Sequence, residues 1–165
     1  MNTNELILIL EDLTKSYRQL LELVRSEKKI LIDANILQMN ECQFQKEIIL
    51  QKINQSDLKR QSFAREICHE LKINADEPRL LDIAKHLEGQ VSDKLRSQHA
   101  ALELIIKRLS EINFQNAQIA QLALKNVNGA LNNLKETYMG RKTYQNKGQI
   151  QNGSDRSGHL VSREA

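Results

Sequence analysis

The chain has 165 residues, of which 40% are hydrophobic and 27% charged, and its formal net charge is +3. The 24 basic and 21 acidic residues are interspersed, whereas nucleic-acid binders usually concentrate basic residues in a stripe, so no nucleic-acid partner is expected. The longest purely apolar run, Leu6 to Leu10, is far too short for a signal sequence or a membrane span. These features predict a cytoplasmic protein with no membrane insertion.

The first predicted helix runs from about Asn4 to Ile32. Its apolar residues recur at steps of three and four, which places them on one face of a helix: Leu6, Ile9, Leu13, Tyr17, Leu20 and Val24. The segment from Asp33 to Asn35 then interrupts the pattern, and its Asp and Asn side chains can cap a following helix.

A second helix is predicted from about Ile36 to Lys72. Its apolar positions include Leu37, Phe44, Ile48, Leu58, Phe63, Ile67 and Leu71. The short joint before it lets the two helices either continue in line or fold back on each other. Folding back buries the apolar stripes of both helices, so an antiparallel pair is favoured.

Turn-forming residues appear next, between Ile73 and Gln90. Asp76 can cap a helix, and Pro78 suits the first turn of one. A short helix is therefore predicted from Pro78 to Leu87, ending near Gly89.

The third long helix is predicted from about Val91 to Thr137. Its first part fits the a and d positions of a heptad repeat, interrupted by Gln98 and Asn116; the apolar members are Val91, Leu95, Leu102, Ile105, Leu109, Ile112 and Ile119. Beyond Ile119 a second apolar stripe takes over, made of Leu124, Val127, Leu131, Leu134 and Tyr138. At 1.5 Å per residue this helix is about 70 Å long, so its end is expected to extend past the bundle with an exposed apolar edge.

The sequence thus predicts an all-α protein, an elongated antiparallel helical bundle or coiled coil of three long helices plus one short helix. Residues 1–138 form the predicted helical domain. Residues 139–165 are polar and glycine-bearing, without an apolar period, and are predicted to be a disordered C-terminal tail.

No catalytic, cofactor or metal site is predicted. Cys68 and His69 are adjacent, so on a helix their side chains point about 100° apart and are poorly placed to share a metal ion. Glu66 and His69 form one Glu-x-x-His match, but di-metal helical bundles use two. Cys42 and Cys68 follow no CxxC pattern and are interpreted as two free buried thiols. An enzyme is therefore not expected.

Two features admit alternative interpretations. The last helix contains many asparagines. They either control register where buried or simply face solvent, or they provide hydrogen bonds to a partner helix; they are Asn113, Asn116, Asn126, Asn128, Asn132 and Asn133. Tyr138 and Tyr144 lie where the helical pattern ends. They are either incidental or anchors for binding, because a tyrosine buries a large area at low entropic cost.

Several segments in order resemble the FlgN family of flagellar export chaperones. They are LILEDLTKSYRQLLELVRSEKK from Leu8, DANILQMNECQFQKEIILQKI from Asp33, DEPRLLDIAKHLEG from Asp76 and INFQNAQIAQLALKNVNGALNNL from Ile112. The resemblance closes with a Y-x-x-x-G-Q pattern, from Tyr144 to Gln149. It covers most of residues 4–149.

The resemblance implies a chaperone of flagellar type III export. No cofactor is expected, and the sequence is compatible with either a monomer or a homodimer. The resemblance also implies that the last helix binds the C-terminal helical segment of hook–filament junction proteins, prevents their premature self-association and delivers them to the export gate. The client-binding residues carried over are Ile119, Leu122, Val127, Leu131 and Leu134. Tyr144, or Tyr138 in its place, is the residue expected to bind the export-gate membrane protein, with the export ATPase complex as a further partner.

One alternative function keeps the helices and changes the partner. A generic coiled-coil adaptor or structural protein would self-associate through the seam from Leu95 to Leu109, and it would be indifferent to loss of the tail.

Overall fold

The computed structural model describes residues 2–73 and 79–138. This part of the chain consists of four α-helices and contains no strand: α1 (Thr3–Ile32), α2 (Ile36–Glu70), α3 (Leu80–His86) and α4 (Gln90–Tyr138). The all-α prediction of three long helices and one short helix is confirmed. Asp76, Pro78 and the whole predicted tail, residues 139–165, lie outside the described residues, so the predicted boundary after Tyr138 stays a prediction.

The joint between α1 and α2 is only three residues long, Asp33 to Asn35, and a cap residue stands at each of its ends. Asp33 terminates α1, and the Asn35 side chain accepts a hydrogen bond of 3.1 Å from the backbone N–H of Gln38. The predicted capping by Asn35 is therefore correct. This cap satisfies one of the backbone donors that the first turn of α2 leaves unpaired.

Contacts across this joint show that α1 and α2 are antiparallel. The Cys42 thiol lies 3.9 Å from the carbonyl oxygen of Leu23, and the Gln43 amide donates to the Glu27 carboxylate at 2.9 Å. Residues soon after the joint therefore lie beside residues shortly before it. The predicted fold-back is confirmed.

The chain divides into two compact units, residues 1–119 and residues 120–165. In the first unit, α4 runs parallel to α1, since Thr14 donates to Gln98 at 3.0 Å and Asn116 donates to the carbonyl of Val24 at 2.9 Å.

The short helix α3 joins the same core through Ile83 and Ala84, and the Ser92 hydroxyl donates to the Ala84 carbonyl at 2.6 Å. Gly89, between α3 and α4, has a φ of +69°, a conformation that favours glycine.

The core of the first unit contains the predicted face of α1 and the predicted seam of α4. Four residues of the predicted α1 stripe are buried, and Ile9 and Tyr17 pack against them; the buried ones are Leu6, Leu13, Leu20 and Val24. On α4, Leu95, Leu102 and Ile112 are buried, while Val91, Ile105 and Leu109 are partly buried against the same cluster. The seam from Leu95 to Leu109 is thus used within one chain, which leaves it unavailable for the self-association that the coiled-coil adaptor requires.

For α2, the prediction of which apolar residues are buried is wrong for most of them. Leu37, Phe44, Ile48 and Leu58 are exposed, Phe63 and Leu71 are only partly buried, and of the predicted set only Ile67 is fully buried. The buried residues of α2 are Cys42, Ile53, Ala64, Ile67 and Cys68. The helix carries apolar residues on two opposite faces, and the face with Ile53, Ala64 and Ile67 is the buried one.

No helix in the described part of the chain combines the length and the hydrophobicity that crossing a bilayer requires.

Candidate partner-binding surface

An apolar stripe runs along the end of α4, within the second unit. Successive members are separated by three, four, three and four residues, so they line one face of the helix. The stripe, called here the α4 stripe, consists of Leu124, Val127, Leu131, Leu134 and Tyr138, all of them exposed. It spans about 21 Å along the helix axis.

The opposite face of the same segment is polar. Beyond Leu122, that side carries Asn126, Asn133 and Glu136, and every described residue from Ala120 to Tyr138 is exposed. The segment is therefore amphipathic with its apolar face open to solvent. Helices of this kind dock in or form grooves for a partner helix.

The five predicted client-binding residues do not all lie on one face of α4. Val127, Leu131 and Leu134 lie on the α4 stripe. Leu122 precedes Val127 by five residues, which places it about 140° around the helix from it, and Ile119 is partly buried in the first unit. Leu124 is not among the five predicted client-binding residues, but it lies on the same face as Val127, and its step of three residues from Val127 is the sequence signal that identifies it.

The two predicted gate-binding tyrosines differ in what the structure describes. Tyr138 is the last described residue of α4, is exposed and ends the α4 stripe. Tyr144 lies outside the described residues.

The asparagines of α4 fall into two groups. Asn116 is buried, and its amide donates to the Val24 carbonyl at 2.9 Å and to the Glu27 carboxylate at 3.1 Å. Its position in the heptad seam is that of a polar residue that specifies register. The other five predicted asparagines are exposed: Asn113, Asn126, Asn128, Asn132 and Asn133.

A polar cluster surrounds Asn116 and connects the three long helices. The buried Glu27 carboxylate of α1 accepts hydrogen bonds from Lys46 at 2.8 Å and Gln43 at 2.9 Å, both on α2, and from Asn116 on α4. Each long helix thus contributes to one buried interaction. Sequence reasoning identified Asn116 but missed Glu27, because an acidic residue in an apolar helix face is usually solvated.

A groove of about 510 Å³ lies between the long helices of the first unit. Leu13, Tyr17, Leu102 and Ile106 contribute its apolar lining, and Asp57 is one of its polar lining residues. Burial alone would raise the pKa of Asp57, but hydrogen bonds from Arg60 (2.6 Å) and Gln61 (2.7 Å) outweigh it and hold that pKa below its usual value. This carboxylate is therefore engaged in a structural ion pair on its own helix.

The residues considered in the sequence as metal ligands do not form a metal site in the described part of the chain. Glu66 and His69, the single Glu-x-x-His match, are both exposed on α2. Within residues 2–73 and 79–138, no three His, Cys, Asp or Glu side chains are grouped as metal ligands.

Both cysteines are free and buried, as the sequence predicted. Burial raises the pKa of the Cys42 thiol, and the nearby Glu27 carboxylate raises it further. Burial also raises the pKa of Cys68, with a smaller contribution from Asp82. Since the thiolate is the reactive form, these thiols should be poor nucleophiles in the folded protein.

We therefore expect iodoacetamide at pH 8 to leave Cys42 and Cys68 unmodified in the native protein and to alkylate both in 8 M urea. Mass spectrometry of the intact chain over time measures this directly. Alkylation of either residue in the native protein at the rate seen in urea would contradict the burial of that thiol.

Comparison with known proteins identifies one family. The family model described as FlgN protein matches residues 1–152. No curated protein and no solved structure matches the chain.

Proposed function

The chain belongs to the FlgN family of flagellar export chaperones, and from this we propose that it binds the C-terminal helical segment of hook–filament junction proteins. The family implies binding of hook-associated proteins. In this proposal the chaperone prevents premature self-association of its client in the cytoplasm and delivers it to the export gate. Binding alone achieves this protection, so the proposed function requires no catalytic residue.

The observation that carries the proposal is the exposed α4 stripe. Three of the five client-binding residues carried over from the family resemblance, Val127, Leu131 and Leu134, lie on it, and Leu124 and Tyr138 extend it. Fully burying a leucine or valine side chain contributes about 1.5–3 kcal/mol. Several such residues on one face are enough to offset the entropy lost when a client segment becomes ordered.

A helical client segment suits this surface. An amphipathic helix places its own apolar residues at steps of three and four, which match the spacing of the α4 stripe. Asn128, one turn after Leu124, is exposed beside the stripe and can donate and accept hydrogen bonds at the rim. Covering a client's apolar face in this way removes the surface through which it would self-associate.

The tail tyrosines are proposed to serve the second step, binding of the export-gate membrane protein, with the export ATPase complex as a further partner. Tyr144 matches the family's closing pattern, and Tyr138 is exposed at the end of α4. Replacing each by alanine, with binding to the gate protein measured by surface plasmon resonance, tests the assignment. Unchanged binding to the gate protein in both variants would contradict the assignment of either tyrosine to gate binding.

The test of the client site is the double substitution Val127→Asp and Leu131→Asp. It places two carboxylates on the α4 stripe, where client binding would desolvate them, so we expect the affinity for a hook–filament junction protein from the same genome to fall at least about 100-fold. Isothermal titration calorimetry with the full-length chain measures the affinity.

Leu122→Asp is the matched control. Leu122 lies on the same segment and is 62% exposed, compared with 53% for Leu131, but it faces another direction. We expect this variant to bind the client like the unmodified chain. A double variant that binds normally, or a control that loses as much affinity as the double variant, would contradict the assignment of the α4 stripe.

A further inference from the structure

The face of α2 that points away from the core carries a second regular stripe. Its members, called here the outer stripe, are Phe44, Ile48, Gln51, Gln55, Leu58 and Ser62, and all six are exposed. They follow at alternating steps of four and three residues, which is the spacing of a coiled-coil seam. Ile53, Ala64 and Ile67 occupy the opposite, buried face of the same helix.

The outer stripe is uncharged along its whole length, about 27 Å. Surface faces of helices usually carry charged residues, and elsewhere α2 does so. An apolar and amide-bearing seam of this length on a solvent-facing helix indicates an interface with another helix.

We propose that the outer stripe binds the outer stripe of a second copy of this chain, with the two α2 helices antiparallel about a two-fold axis. In one register of this pair, Ile48 lies opposite Leu58 of the second copy and Gln51 lies opposite Gln55 of the second copy. Two-fold symmetry repeats both pairs. The apolar side chains then meet each other, and the amides pair at the centre, where a polar layer specifies register.

The charges that flank the stripe favour the antiparallel orientation. Glu41, Glu47 and Lys52 flank its N-terminal half with a net charge of −1, whereas Lys59, Arg65 and Glu66 flank its C-terminal half with a net charge of +1. Antiparallel pairing brings the acidic half of one helix beside the basic half of the other. Parallel pairing would instead align Glu41 and Glu47 with their own copies, which is unfavourable.

The interface is small. One helix face of this length lies at the lower limit of areas that support a specific complex, about 1,000 Å² in total. We therefore expect a reversible dimer with a dissociation constant of roughly 10–100 μM. The proposed dimer interface involves no residue of the α4 stripe, so the dimer does not depend on the proposed binding of a client.

The experiment is sedimentation equilibrium of the full-length chain from about 5 to 500 μM. We expect the unmodified chain to dimerise over this range, and Ile48→Glu with Leu58→Glu to raise the dissociation constant at least about 30-fold. Leu50→Glu is the matched control on the same helix, since Leu50 is 49% exposed and Leu58 59% while the two side chains point about 80° apart and Leu50 lies off the stripe. Circular dichroism of each variant verifies that it folds.

A second pair of variants tests the orientation. Glu41→Lys with Glu47→Lys, and Lys59→Glu with Arg65→Glu, should each dimerise more weakly than the unmodified chain, whereas their mixture should form a mixed dimer. A chain that is monomeric at 500 μM, or a dimer that Ile48→Glu with Leu58→Glu leaves intact, would overturn the proposal. So would an equal loss in the Leu50→Glu control. If the unmodified chain is monomeric and the Ile48→Glu, Leu58→Glu variant loses client binding, the outer stripe is assigned to the client instead.

Discussion

Glu27→Ala is expected to lower the free energy of unfolding by about 3 kcal/mol. The substitution removes the one carboxylate that accepts hydrogen bonds from Gln43, Lys46 and Asn116. The Lys46 ammonium then lies largely desolvated without its partner, and the Asn116 amide loses one of its two acceptors. Leaving buried donors unpaired costs more than the net value of the hydrogen bonds themselves.

Urea denaturation monitored by circular dichroism measures this loss, with Glu22→Ala as the control. Glu22 is on the same helix and also forms an ion pair, with Arg25, but its side chain is 70% exposed compared with 7% for Glu27. Exposed ion pairs contribute about 0.2–1 kcal/mol at most. Equal effects of the two substitutions would show that the polar cluster does not hold the three helices together.

Leu95→Ala is expected to lower the free energy of unfolding by about 3 kcal/mol, within the range for fully buried leucines. Leu95 is 0% exposed and belongs to the cluster that joins α4 to α1. The loss combines the hydrophobic transfer of the deleted carbons with the cavity left behind. Alanine has a high helix propensity, so the helix itself is not weakened.

The matched control is Leu104→Ala, nine residues further along α4, where the side chain is 70% exposed; it should change stability by no more than about 0.5 kcal/mol. The measurement is repeated at several protein concentrations. The packing within one chain predicts a loss that is independent of concentration. A loss that disappears at high concentration would instead support a seam between chains, as the coiled-coil adaptor requires.

Part of the candidate surface could be predicted because it depends on local spacing. The α4 stripe is visible in the sequence as steps of three and four, and its members are exposed together with the rest of the segment from Ala120 to Tyr138. The same spacing also shows that Leu122, five residues before Val127, lies off the α4 stripe. The assignment of Tyr144, in contrast, comes from the family pattern alone.

The sequence by itself determined the helical class, the order and bounds of the helices within a few residues, and the buried faces of α1 and α4, because each of those helices has one dominant apolar face. The tertiary structure alone decided which face of α2 is buried, since that helix has two, and only the fit against α1 selects Ile53 and Ala64 over Phe44 and Leu58. It also decided the role of Asn116, whose hydrogen-bond partner Glu27 lies 89 residues away. Periodicity reports on one helix at a time, whereas burial depends on which side chains another helix brings to it.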